Sequence, residues 1–195
     1  QIAEEQSKNN SDLRNLIQEY HDGLLLYEVS KREVWDVAAA DTKGLEQWYK
    51  SHKDTYKWEK PRFKGFVFHC KNAKNAKAVK KLLKKYGEGD WRKELKQQFN
   101  KDSVTVSVSG PYLCTQGENA TIDAYAFKTD AKAKTPTGYV MTGVSGKVMK
   151  QPKSYLDVKA QVTSDYQAEC EKNWVEKLRK QFTFSVNEDV LKTVK

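Results

Sequence analysis

The chain has 195 residues with a net charge of +9, 38% hydrophobic and 31% charged side chains. That length bounds it to one domain or two small ones with a real core. No run of about 18 apolar residues occurs, and the lysines are dispersed rather than gathered with Arg and aromatics, so neither an integral membrane segment nor a nucleic-acid partner is expected. A charge of this size still suits a basic binding module for anionic surfaces. The chain opens on Gln1 and is read as a mature form or an excised piece. Its first ten residues are expected to fray. Leu13, Leu16, Ile17, Tyr20, Leu24 and Tyr27 then fall on one helical face, with Ser11 as cap. Leu25 and Leu26 widen the stripe and predict burial on more than one side. Ser30 to Glu33 reads as a capping box opening a second, short helix at Val34 and Trp35. Leu45, Trp48, Tyr49 and His52 recur at three- and four-residue steps, a third helix capped by Thr42.

Pro61 forces Lys60 out of helical geometry, and Arg62–Cys70, rich in aromatic and β-branched residues, predicts a strand. Asn72–Tyr86 predicts a helix with Ala76, Val79, Leu82, Leu83 and Tyr86 inward and its lysines in solvent. Gly87 to Gly89 breaks the chain. The break is no phosphate loop, because the Lys and Ser/Thr of that motif are missing. Asp90 is placed to cap a helix from Trp91 to Phe99. Val104, Val106 and Val108 alternate with polar residues, a half-buried strand that Gly110-Pro111 interrupts. Asn119–Phe127 reads as a short helix, Ala131–Thr137 as a loop, and Tyr139–Met149 as one or two strands turning at Gly143 and Ser145-Gly146. Ser154 to Asp157 is a capping box for a helix of about 27 residues running to Gln181, roughly 40 Å long. Val158, Val162, Tyr166, Cys170, Trp174, Leu178 and Phe182 recur every four residues along it. A four-residue step overshoots one turn, so the stripe winds around the helix. Its first half is expected on a sheet and its second half on the N-terminal helices. Phe182–Val186 reads as a short strand, and Asn187 as the cap of a last turn through Val194.

Three segments carry a resemblance: Glu19–Asp36 (EYHDGLLLYEVSKREVWD), Tyr56–Gly65 (YKWEKPRFKG) and Asp165–Val194. Together they resemble the C-terminal part of SurA/PrsA-like periplasmic foldases with a parvulin-type peptidyl-prolyl isomerase domain, in the version found in Bacteroidetes. The similarity covers nearly the whole chain. It implies an α+β fold: a small antiparallel parvulin-like (FKBP-like) sheet with packed helices, an N-terminal helical arm and a long C-terminal helix. The implied division is an arm over 1–60, a parvulin-like domain over 61–150, and a closing helix, strand and turn over 151–195 packing back on the arm. The implied role is escorting unfolded, secreted or outer-membrane polypeptides in the periplasm. Family catalysts place one His in the first strand and another in a late G-[YWF]-H motif. Here Gly65 and Val140 hold those positions, so the resemblance implies a catalytically degenerate, client-binding module. An active isomerase is the alternative.

An X–Pro isomerase must favour the twisted amide over the planar one. That needs an apolar socket for the proline ring and polar groups around its carbonyl. Phe66, Phe68, Phe127, Tyr139 and Met141 are candidates for the socket, and also ordinary core residues of a twisted sheet. His69 is the one candidate polar group, expected on the strand face of Gly65 and Val67. It cannot pair with Cys70, since neighbours on a strand point to opposite faces. Three cysteines leave room for one disulfide and a leftover thiol, and are too sparse for zinc. His21 and His52 have no ligand spacing, and Glu169 and Glu171 read as solvated helix positions. No metal and no cofactor is expected.

Overall fold

A computed structural model describes residues 10–87 and 89–193. The first nine residues, Glu88 and Val194, on which parts of the reading above fall, lie outside them. The architecture is α+β with a three-stranded antiparallel sheet. The chain divides into two units, Gln1–Thr55 with Ser154–Lys195, and Tyr56–Lys153.

In the first unit, helix α1 (Ser11–Ser30) passes through a π-helical turn (Lys31–Trp35) into α2 (Asp36–Ala40). Its cap is Asn10, whose side chain accepts from the backbone N–H groups of Asp12 and Leu13. Ser30 starts no new helix. It is buried, its backbone is helical and its hydroxyl caps nothing, because a capping box needs an extended residue at that position. Helix α3 (Thr42–Ser51) is capped by Asp41, which accepts from Gly44 N–H, and not by Thr42. It buries Leu45 and Tyr49.

In the second unit, strand β1 (Arg62–Cys70) is followed by α4 (Ala76–Tyr86), α5 (Trp91–Phe99), β2 (Val106–Thr115), the short α6 (Ala120–Ile122) with a π turn (Asp123–Phe127), and β3 (Met141–Met149). Asn72 opens the α4 region by accepting from Lys74 N–H, whereas Asp90 caps α5 without a side-chain bond. Strand order is β2-β1-β3, so the aromatic strand is central. One face of the sheet packs Phe66, Phe68, Cys70 and Val106 against Val79, Leu82, Leu83, Trp91 and Leu95 of α4 and α5. Each such side chain contributes about 1.5–3 kcal/mol through burial. The other face holds Phe63, Val67, Cys114 and Ile122, flanked by Tyr112, Phe127 and Val144. Cys70 and Cys114 therefore lie on opposite faces, and all three cysteines are free thiols.

Strand β2 is not ended by Gly110-Pro111, which it crosses through a cis peptide bond. The register explains this. Gly65 pairs with Tyr112 but Val67 with Ser109, so Gly110 and Pro111 together oppose Phe66, a bulge of one extra residue where no ladder donor is needed. The start of β2 is held by Asn100. Its carbonyl oxygen accepts from the N–H groups of Thr105 and Val106, and its amide donates to Val106 O. Gln151 joins the two ends of the unit, accepting from Trp58 N–H at 2.9 Å and donating to Trp58 O at 3.5 Å.

Back in the first unit, the Ser154–Asp157 capping box forms, but over a 3-10 turn (Tyr155–Val158) that precedes α7 (Lys159–Gln181). Helix α7 packs on the helical arm from within its first half to just past its midpoint. Tyr166 donates to Asp41, and Gln167 to Trp35 O. Glu171 accepts from Trp35 Nε1. Phe182–Val186 forms no strand; Phe182, Phe184 and Val186 are exposed coil, and the described residues of this unit hold no strand to pair with. Asn187 caps α8 (Glu188–Leu191) by accepting from Val190 N–H. The apolar side chains of α1 are not buried on several sides as expected: Leu16, Ile17, Tyr20, Leu24, Leu25, Leu26 and Tyr27 are all exposed.

Candidate functional site

The pleat of β1 sorts the sequence candidates. Phe66 and Phe68 point into the core beneath α4, 6% and 0% exposed, with Met141 packed against the same cluster. Phe127 lies against the opposite face, beside Val67 and Val144. The five socket candidates are therefore not one constellation. Phe127 and Tyr139 fall with His69, and Phe66, Phe68 and Met141 do not.

His69 is half-buried on the Val67 face, where residues of neighbouring strands in direct register share its side of the sheet. Those residues are Ser107 on β2 and Thr142 on β3. His69 Nδ1 hydrogen-bonds Thr142 Oγ1 at 2.8 Å, and Thr142 in turn bonds Thr135 Oγ1 at 3.0 Å. The Tyr139 ring sits 5.8 Å from the imidazole, tilted by 49°. Val140 N–H donates to Cys70 O, which fixes the chain just before β3. Sequence reasoning found His69 and Tyr139 but missed Thr142 and Thr135. Their only signal was the alternation Thr142, Val144 along β3, and the register that sets Thr142 opposite His69 is a long-range fact.

Burial lowers the pKa of His69 below the usual imidazole value, because desolvation disfavours the charged ring. The ring is thus neutral at neutral pH, one nitrogen held by a hydroxyl and the other left as a single polar contact. Thr142 is 4% exposed and is not presented as a nucleophile. Burial also raises the thiol pKa values of Cys70 and Cys114, which suppresses the thiolate that cysteine chemistry requires. Such a face can accept or donate one hydrogen bond beside apolar side chains. It has no paired acid and base.

Gly65, where the family resemblance expects an imidazole, faces Gly146 across β1 and β3. A Cβ added to Gly65 would lie 2.6 Å from Gly146 Cα and overlap the Ser145 carbonyl oxygen. No side chain fits between these backbones. Val140, at the second expected position, is exposed.

Of the remaining histidines, His21 contacts Asp22 and His52 stacks on Trp48. Among the described residues no group of three His, Cys, Asp or Glu is arranged to hold a metal, and no helix is long and apolar enough to cross a membrane. The lysines of α4 are exposed, with Lys80 and Lys85 lying over the Phe68 and Tyr86 rings. Comparison with family models, curated proteins and solved structures gives no match for this chain.

Proposed function

We propose that this protein is a parvulin-like, catalytically degenerate foldase module that binds extended or unfolded polypeptides. The family resemblance implies secreted or outer-membrane clients and a periplasmic setting. The observation that carries the reading is the backbone approach at Gly65. Strand β3 occupies the space an imidazole would need there, which supports a module without a histidine at that position. What remains on that face is His69 beside Tyr139 and Phe127, a half-buried apolar surface with one polar contact. An extended chain can lie there, held by its side chains and one hydrogen bond, without its prolyl carbonyl being twisted.

The test pairs two measurements on the same proline-containing, aromatic-rich peptide. Fluorescence anisotropy is expected to give a dissociation constant on the order of 10–100 μM, weakened several-fold in Tyr139→Ala. Exchange NMR is expected to give a cis/trans rate equal to buffer alone. A peptide that does not bind at all removes the client role. The bond from His69 to Thr142 keeps one second reading alive, an isomerase that works through His69 alone. It requires an accelerated exchange rate that His69→Ala abolishes.

A further inference from the structure

Helix α1 carries a second pattern within its exposed apolar stripe. Leu13, Ile17, Tyr20, Leu24 and Tyr27 are spaced by four, three, four and three residues. The alternation continues through Lys31 to Val34, which is buried in the unit's own core. This is the heptad spacing of a coiled-coil seam, with Ile17 and Leu24 at a positions and Leu13, Tyr20 and Tyr27 at d positions. Ile17, Tyr20, Leu24 and Tyr27 are 41%, 68%, 67% and 54% exposed. The seam thus runs about 21 Å along the helix, and among the described residues no second helix is laid over it. Gly23, on its flank, has nothing within 4 Å of where a Cβ would stand.

We infer that α1 pairs with α1 of a second copy of this chain as an antiparallel coiled coil. The flanking residues choose both the partner and the direction. Arg14, His21 and Glu28 occupy e positions, and Leu16, Gly23 and Ser30 occupy g positions. In a parallel pair e residues meet g residues, and no charge finds an opposite. In an antiparallel pair e meets e. Leu24 of one helix then lies level with Tyr20 of the other, and Ile17 with Tyr27. Arg14 of each copy comes beside Glu28 of the other, twice over because the axis is two-fold. Glu28 also accepts from Arg32 of its own helix at 2.7 Å, so the meeting charges form a small cluster. The remaining acids, Asp12, Glu19 and Asp22, sit at c and f positions, away from the seam. Leu25, Leu26 and Val29 lie outside it.

Sedimentation velocity of the whole chain between about 5 and 200 μM tests this, with a dimer dissociation constant expected on the order of 10 μM for so small an interface. Leu24→Asp, which removes no buried contact, is expected to leave the circular dichroism spectrum unchanged and the protein monomeric. Arg14→Glu and Glu28→Arg are each expected to weaken the dimer about tenfold through like-charge contacts, and the double reversal to restore it. A protein that is monomeric at 200 μM overturns the inference, as does a dimer that Leu24→Asp leaves intact. So does a double reversal no tighter than the single changes. A monomer that binds the aromatic-rich peptide through α1, losing it in Leu24→Asp, also overturns it and assigns α1 to an extended client.

Discussion

Two glycines facing each other decide what β1 can carry. Gly65 and Gly146 bring the backbones of β1 and β3 so close that a methyl group has no place at either position. The one imidazole on the sheet lies four residues further along, tied to a hydroxyl instead of a carboxylate. The burial of this imidazole sets a pH response. Burial holds the folded-state pKa of His69 below its ordinary value of 6.5, so the unfolded chain takes up the proton first. Stability is then complete above the unfolded pKa and declines as pH falls from about 6.5 towards the folded pKa. Urea denaturation at pH 7.5 and pH 5 is expected to show this loss. His69→Asn, which keeps a hydrogen-bonding group towards Thr142 and cannot titrate, is expected to lose less stability between the two pH values. The side of the sheet His69 faces was legible from alternation alone. Its partner was not, because Thr142 is distant in sequence and the pairing register depends on how the whole sheet closes.

At the scale of elements, local chemistry told where helices lie better than where they begin. Asn10 and Asp41 cap α1 and α3 although Ser11 and Thr42 stand next to them. All four residue types can cap, and the choice turns on which backbone stands outside the helical region. The Ser30 to Glu33 pattern misleads for the converse reason. Val34 and Ala38 are drawn into the core of the first unit, and that packing carries the helix straight through a sequence that could have started a new one. Proline was a poor guide within β2, since a bulge absorbs Gly110-Pro111 without ending the ladder. Packing at the sheet centre makes its own prediction. Gly143 pairs with Phe68, and a Cβ there would stand 2.7 Å from the Phe68 ring. Gly143→Ala is expected to cost about 1–3 kcal/mol by overpacking, measured by urea unfolding. Combining it with Phe68→Leu is expected to cost less than the sum of the two single changes, because the smaller side chain makes room for the methyl group.

Across the whole molecule, the two units interleave in chain order. The first unit is assembled from both ends of the sequence, and the second is a continuous run between them. The winding stripe of α7 was read as serving two bodies. Tyr166, Gln167 and Glu171, around its midpoint, serve the arm at Asp41 and Trp35, and Phe182 at its end stays exposed. Sequence could not reveal this, because periodicity fixes which face is apolar and not what covers it. The clasp of Gln151 on both backbone groups of Trp58 has a consequence for how the chain matures. Since entry and exit of the second unit meet, residues 56–153 made alone are expected to give a dispersed amide NMR spectrum, and a collapsed spectrum would refute that. On a ribosome this insert is finished while its host is still half written. Helices α2 and α3 must then wait, the side that α7 covers turned outward, until the last helix emerges, and during that interval the nascent chain itself is a customer for a holdase.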